Sequence, residues 1–167
     1  GDLQTESEKV WLRNLAEENE REIGSRKDTS AKNEKVNLKV EVAKAKGKIA
    51  KKDTMPPSSS EWKTLRYTLD NVHDFAWFAD KTFRVLRSEV TLLESKKTVE
   101  TWLMYTPENA KVWEKAKPYI DSSIYYYSLW VGDYPYRVCT AVDGALSAGG
   151  GMEYPTITII SASSSPK

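Results

Sequence analysis

The chain has 167 residues, 40% hydrophobic and 29% charged, which is enough for one domain with a real hydrophobic core. Lys and Arg number 25 against 24 for Asp and Glu, and a net charge of +1 excludes a global field that would draw in nucleic acid or an anionic membrane. Cys139 and His73 are the only residues of their types, so an intrachain disulfide is excluded and the ligands of an ordinary zinc site are lacking.

No apolar run approaches the roughly 20 residues that span a bilayer, and no basic, apolar, small-residue opening reads as a signal peptide. The chain opens "GDLQTESEK", without Met, and reads as a piece of a longer polypeptide. It does not distinguish a cytoplasmic from an exported protein.

Thr5 and Glu8 stand at capping-box spacing, followed by Leu12, Leu15 and Ala16 in helical rhythm, with Gly24 as a stop. A short amphipathic helix over 6–22 is predicted, its glutamates on a solvated face. Nine lysines then fall between Lys27 and Lys52, around "VNLKVEV", where Val36, Leu38, Val40 and Val42 alternate as in a half-buried strand. The stretch has neither aromatics to stack bases nor an Arg to read guanine, so a surface excursion is expected rather than a nucleic-acid patch.

From Trp62 to Tyr105 the pattern is β. Leu65, Tyr67 and Leu69 alternate, "DFAWFA" reads as a short buried run, and Val85 to Leu92 and "TVETWLMY" are strands around a polar "ESKK" turn, together predicting an antiparallel meander. His73 and Asp74 fall between strands and read as a structural hydrogen-bonding pair, since no nucleophile signature accompanies them.

At Thr106 the period lengthens to about 3.6, with Pro107 at the first helical position. The apolar face from Val112 to Tyr127 predicts a helix over 108–130 ending at Gly132, broken or kinked at Pro118. Tyr125 to Tyr127 and Trp130 are expected to pack against a sheet. "YRVCTAVDG" and "MEYPTITIIS" then read as two strands joined by "GALSAGGG", and "SASSSPK" as loop.

The glycines before "MEYPTITII" read first as a tight turn needing positive φ. No phosphate cradle is present: no G-K-[ST] follows, and a strand comes next instead of a helix. A glycine-edged strand does let a second backbone approach and pair with it. Glu153 then projects a carboxylate beside that path, and an ammonium is the group best matched to it.

"GGMEY", Gly150 to Tyr154, resembles the G-x-M-E-N motif of the gluzincins, the zinc aminopeptidases related to aminopeptidase N and leukotriene hydrolase. "DNVHDFAWFADKTFRV" is similar to the closing strands of the β-rich N-terminal domain in bacterial members, and "YYYSLWVGDYPY" with "TAVDG" and "GGGMEYP" to the opening of their catalytic domain. The likeness covers about 62–160. It implies an α+β fold: residues 1–105 as the end of an antiparallel β-rich domain, with the amphipathic helix and the Lys-rich excursion, and 106–167 as the start of a thermolysin-like metallopeptidase domain, a helix followed by mixed-sheet strands.

The resemblance implies that Glu153 binds the free α-amino group of a peptide substrate, that Gly150 and Gly151 line the substrate backbone, and that Met152 and Tyr154 complete the motif. Tyr154 stands where the family usually has Asn. Zn²⁺ would be held in the full-length enzyme by a later H-E-x-x-H and a further Glu, so no catalytic residue and no metal are expected in this fragment, and no peptidase activity from it alone. Its expected partners are a peptide with a free N-terminus and the rest of its own polypeptide, without which exposed apolar edges would favour aggregation; nucleic acid and a membrane span are not expected. The alternative is a non-catalytic, β-rich module that binds a peptide or partner domain.

Overall fold

A computed structural model describes residues 2–3, 6–34, 57–62, 64–146 and 149–161. The expected strand from Val36 to Val42, nearly all of the Lys-rich stretch and the last residues of the tail lie outside the described residues. The chain is α+β, with helices packed on a mixed five-stranded sheet. In chain order the elements are β1 (Asp2–Leu3), α1 (Glu6–Glu34), β2 (Tyr67–Thr68), β3 (Arg84–Thr91), β4 (Thr98–Tyr105), a 3-10 turn (Pro107–Asn109), α2 (Ala110–Trp113), α3 (Lys117–Val131), β5 (Val138–Asp143), β6 (Gly151–Tyr154) and β7 (Ile157–Ile160). No helix among the described residues is long and apolar enough to cross a membrane.

Helix α1 runs past Gly24, beyond the predicted end at residue 22. A mid-helix glycine costs about 1 kcal/mol. Contacts on both sides of it offset that cost: Ile23 is buried, Arg26 pairs with Glu114 at 2.8 Å, and Glu20 pairs with Lys117 at 2.6 Å. Upstream, Ala16 is buried against Val85 and Trp102, with Leu12 and Leu15 beside them, which lays α1 on one face of the sheet.

The sheet order is β3-β4-β5-β7-β6. β3 and β4 form an antiparallel hairpin, closed at "ESKK" as predicted by the bond from Leu92 N–H to the Lys97 carbonyl at 2.9 Å. β4, β5 and β7 run parallel, and β6 returns antiparallel to β7 as the edge strand. The parallel pairing of β4 with β5 carries one sheet across residues 105 and 106, where the sequence placed a change of domain.

The predicted meander from Trp62 to Tyr105 forms only at its end. β2 pairs with β1 instead of β3, and "DFAWFA" is coil, with Phe75 and Trp77 exposed. Local polar bonds explain the difference, because they offer the backbone an alternative to a ladder. Asn71 takes a left-handed φ of 57°, Asp74 accepts from Phe75 N–H at 2.7 Å, and Asp80 accepts from Thr82 N–H at 2.7 Å. The Asp74 carboxylate is thus used on the backbone rather than as the expected partner of exposed His73.

Between β4 and β5 the expected helix is divided. Thr106 is extended, Pro107 opens the 3-10 turn, and α3 starts afresh at Lys117 with Pro118 in its first turn, where a missing N–H costs nothing. Gly132, at φ 117°, ends it. Ile120, Ile124 and Ser128 recur at four-residue spacing and face the sheet. That stripe leaves Tyr126, Tyr127 and Trp130 outside it and exposed, contrary to the expected core packing; they stack on one another instead. The same sheet face is closed farther along by Trp113, stacked on Tyr105 and clustered with Leu86, Leu103 and Ala141, with Ile120 of α3 beside them.

Candidate functional site: the glycine loop and edge strand

The expected single strand "MEYPTITIIS" is a hairpin. Pro155 has no N–H for a ladder, and Thr156 sits at φ 68°, so the chain reverses between Tyr154 and Ile157 in the pattern of a type II turn. The consequence is functional. Glu153 lies on β6, the edge strand of the sheet, whose outer side carries no further strand among the described residues.

Register sets which face each motif residue shares. Glu153 pairs with Thr158, Thr158 with Ala141 and Ala141 with Leu103, which places Glu153 on the face that α2 covers farther along the sheet. Tyr154 pairs with Ile157, and that row continues through Thr140 to Trp102 on the α1 face. The helix-bearing clusters use β3, β4 and β5 and no residue of β6 or β7. Glu153 is exposed, and among the described residues no cation forms an ion pair with it.

The glycine loop meets the carboxyl ends of the parallel strands, the end of an open α/β sheet at which ligands bind. Ser161 N–H, just past β7, donates to the Gly150 carbonyl at 2.8 Å, and Leu146 N–H donates to Ser161 Oγ at 3.0 Å. Gly149 and Gly150 take φ of 69° and 78°, and a methyl added at either would meet nothing within 4 Å. Their own conformation requires glycine, and the space beside them is open. Gly151 differs: its added Cβ would stand 3.2 Å from the Ile159 carbonyl oxygen, so a side chain there would require the hairpin backbone to give by a few tenths of an ångström.

Asp143, buried at the end of β5, was not singled out from the sequence. It accepts from Thr106 N–H at 3.0 Å, from Thr106 Oγ1 at 2.6 Å and from Asn109 Nδ2 at 2.9 Å. It thereby bonds the N-cap N–H from a distant strand, as the N3 side chain of a capping box does locally. Thr106 has the residue type and position of an N-cap, but nothing in the local pattern links it or Asn109 to a residue more than thirty positions away.

Gly150, Gly151, Met152, Glu153 and Tyr154 are contiguous, and the fold presents them on one edge with Glu153 and Tyr154 on opposite faces. Phe78, from the unpaired "DFAWFA" segment, meets Tyr154 at 6.4 Å between ring centroids. Cys139 is no candidate nucleophile, because burial pushes its thiol up, against a smaller opposing effect of its hydrogen bond with Tyr134. Among the described residues no three of His, Cys, Asp and Glu gather to hold a metal ion. No protein-family model matches the chain, and no curated protein matches it.

Proposed function

We propose that the chain belongs to an aminopeptidase-like zinc metallopeptidase of the gluzincin kind and supplies the wall that holds the amino end of a peptide. On this reading residues 1–105 form the end of an antiparallel β-rich domain, and 106–167 open a thermolysin-like catalytic domain. The observation that carries it is the exposed Glu153 carboxylate on a free strand edge, two residues beyond an open glycine turn. The outer N–H and C=O groups of β6 pair with an extended peptide, and Glu153 takes its ammonium in a charge-assisted bond.

The residues described here do not suit a zinc ion, so no bond-breaking step is assigned to them. Their work is to bind and orient. Isothermal titration with tetra-alanine amide and its N-acetylated form tests the reading: the free amine binds more tightly, and Glu153→Gln abolishes the difference. Equal affinity for the two peptides in the unaltered protein overturns it. A non-catalytic peptide-binding module would use the same edge, and the exposed aromatics of α3 favour that second reading as a docking face; binding of acetylated and free peptides alike would support it.

A further inference from the structure

We infer that Tyr154 is a positioning residue for Glu153, held by Phe78 on the strap that precedes β3; the inference rests on the amine-anchoring reading of Glu153. Phe78 lies six residues before Arg84, which begins β3 at one edge of the sheet. Tyr154 lies on β6 at the other edge, four strand spacings or about 19 Å away. Their rings nonetheless meet, with centroids 6.4 Å apart and planes inclined by 54°, so the strap before β3 brings Phe78 toward the far edge. Tyr154 shares its row with Thr140 and Trp102, so it belongs to the α1 face.

The segment before β3 is shaped by a local turn and tied at one remote point. Before β3, Asp80 accepts from Thr82 N–H and Thr82 Oγ1, at 2.7 and 2.6 Å. On the other side, Tyr136 Oη donates to the Asn71 carbonyl at 3.0 Å. Within the same segment Phe75 and Trp77 are exposed, and Phe78 alone of these three aromatics is half-buried. β6 is four residues long with a neighbour on one side only, so the ring pair is its second attachment besides the β7 ladder. Fixing Tyr154 on one face fixes the pleat that aims Glu153 to the other. A side chain without a ring at position 154 leaves that attachment unmade.

The test uses the unaltered protein, Tyr154→Phe, Tyr154→Ala, Phe78→Ala and the Tyr154→Ala, Phe78→Ala pair. Two quantities are read: amide hydrogen exchange of 152–154 by NMR, and the affinity ratio of tetra-alanine amide over its N-acetylated form. Tyr154→Phe is expected to change neither. Each alanine variant is expected to speed exchange and lower the ratio by about three- to tenfold, the scale of one aromatic pair, with the melting temperature little changed. The double variant is expected to lose no more than either single one.

Unchanged exchange in the alanine variants, or additive losses in the pair, overturns the inference. So does loss of the ratio in Tyr154→Phe, which would place the hydroxyl on the peptide itself. If the unaltered protein shows no preference for the free amine, the Glu153 reading fails, and exchange alone decides: faster exchange sustains the strap and unchanged exchange overturns it. Phe78→Leu, which keeps apolar bulk, gives the same decision should an alanine variant not fold.

Discussion

The two sides of the sheet are built on opposite terms. β3 and β4 lie between α1 on one face and α2 with α3 on the other, with Leu86, Leu103 and Val99 almost wholly enclosed. β7 and β6 belong to none of the helix-bearing clusters and keep Met152, Glu153 and Ile160 in solvent. One side supplies the free energy of folding, and the other presents backbone and charge. A binding edge needs the second condition, and it is stable only because it is hydrogen-bonded to the first.

Substitutions can break or sharpen this contrast. The largest effect is expected at Trp113, 5% exposed and stacked on Tyr105: Trp113→Ala should cost about 3–5 kcal/mol in urea denaturation followed by circular dichroism. Ile160→Ala, on the open side, should cost well under half of that. If the two cost the same, the division between a packed half and a presenting half is wrong.

Next comes Asp143→Ala, which strands the Thr106 and Asn109 donors and should cost about 2–3 kcal/mol, with the loss concentrated in the exchange protection of 106–113. Gly150→Ala, at φ 78°, should cost about 1–2 kcal/mol and weaken peptide affinity as well, which separates a loop that merely turns from one that shapes the edge.

A smaller effect concerns pH. Burial favours the neutral form of Glu100, but Arg87 and Arg13, each at 2.7 Å, outweigh it and hold the carboxyl below its ordinary 4.5. A lowered folded pKa adds stability that is fully present above about pH 4.5 and is lost as acid carries the pH down through the folded value. Glu100→Gln should therefore be less stable near neutral pH and lose less on acidification. Equal acid sensitivity in the two proteins would show that the network on the packed side does not contribute this term.

Much of the packed half was legible in the sequence because its signals are local. Alternation set β3 and β4, "ESKK" closed their hairpin, Pro118 opened a new helix, and Gly132 ended it. The errors came where a residue's partner is remote or absent. Apolar alternation at Leu65, Tyr67 and Leu69 cannot show that β2 will find β1 and not β3. Of the aromatics from Tyr125 to Trp130 only Tyr125 packs against the core as expected, beside the 120, 124 and 128 positions; Tyr126, Tyr127 and Trp130 fall outside that stripe. At the site, the glycine turn and exposed Glu153 could be read from "GGGMEYP"; the Pro155 reversal that makes β6 an edge was visible only as an unused proline, and the Phe78 contact not at all.

The placement of β6 at the rim has a further consequence for how copies of the chain treat one another. An unpaired outer strand is a template for any extended segment, including the same strand of another molecule. Antiparallel pairing of two such strands brings their Glu153 carboxylates close together, and like charges facing across a ladder oppose it. The charge proposed to take an ammonium would thus also guard the rim, since a second molecule presenting its own acid meets a like charge there. Glu153→Gln should accordingly self-associate at lower concentration in sedimentation, while its monomer remains as stable as before.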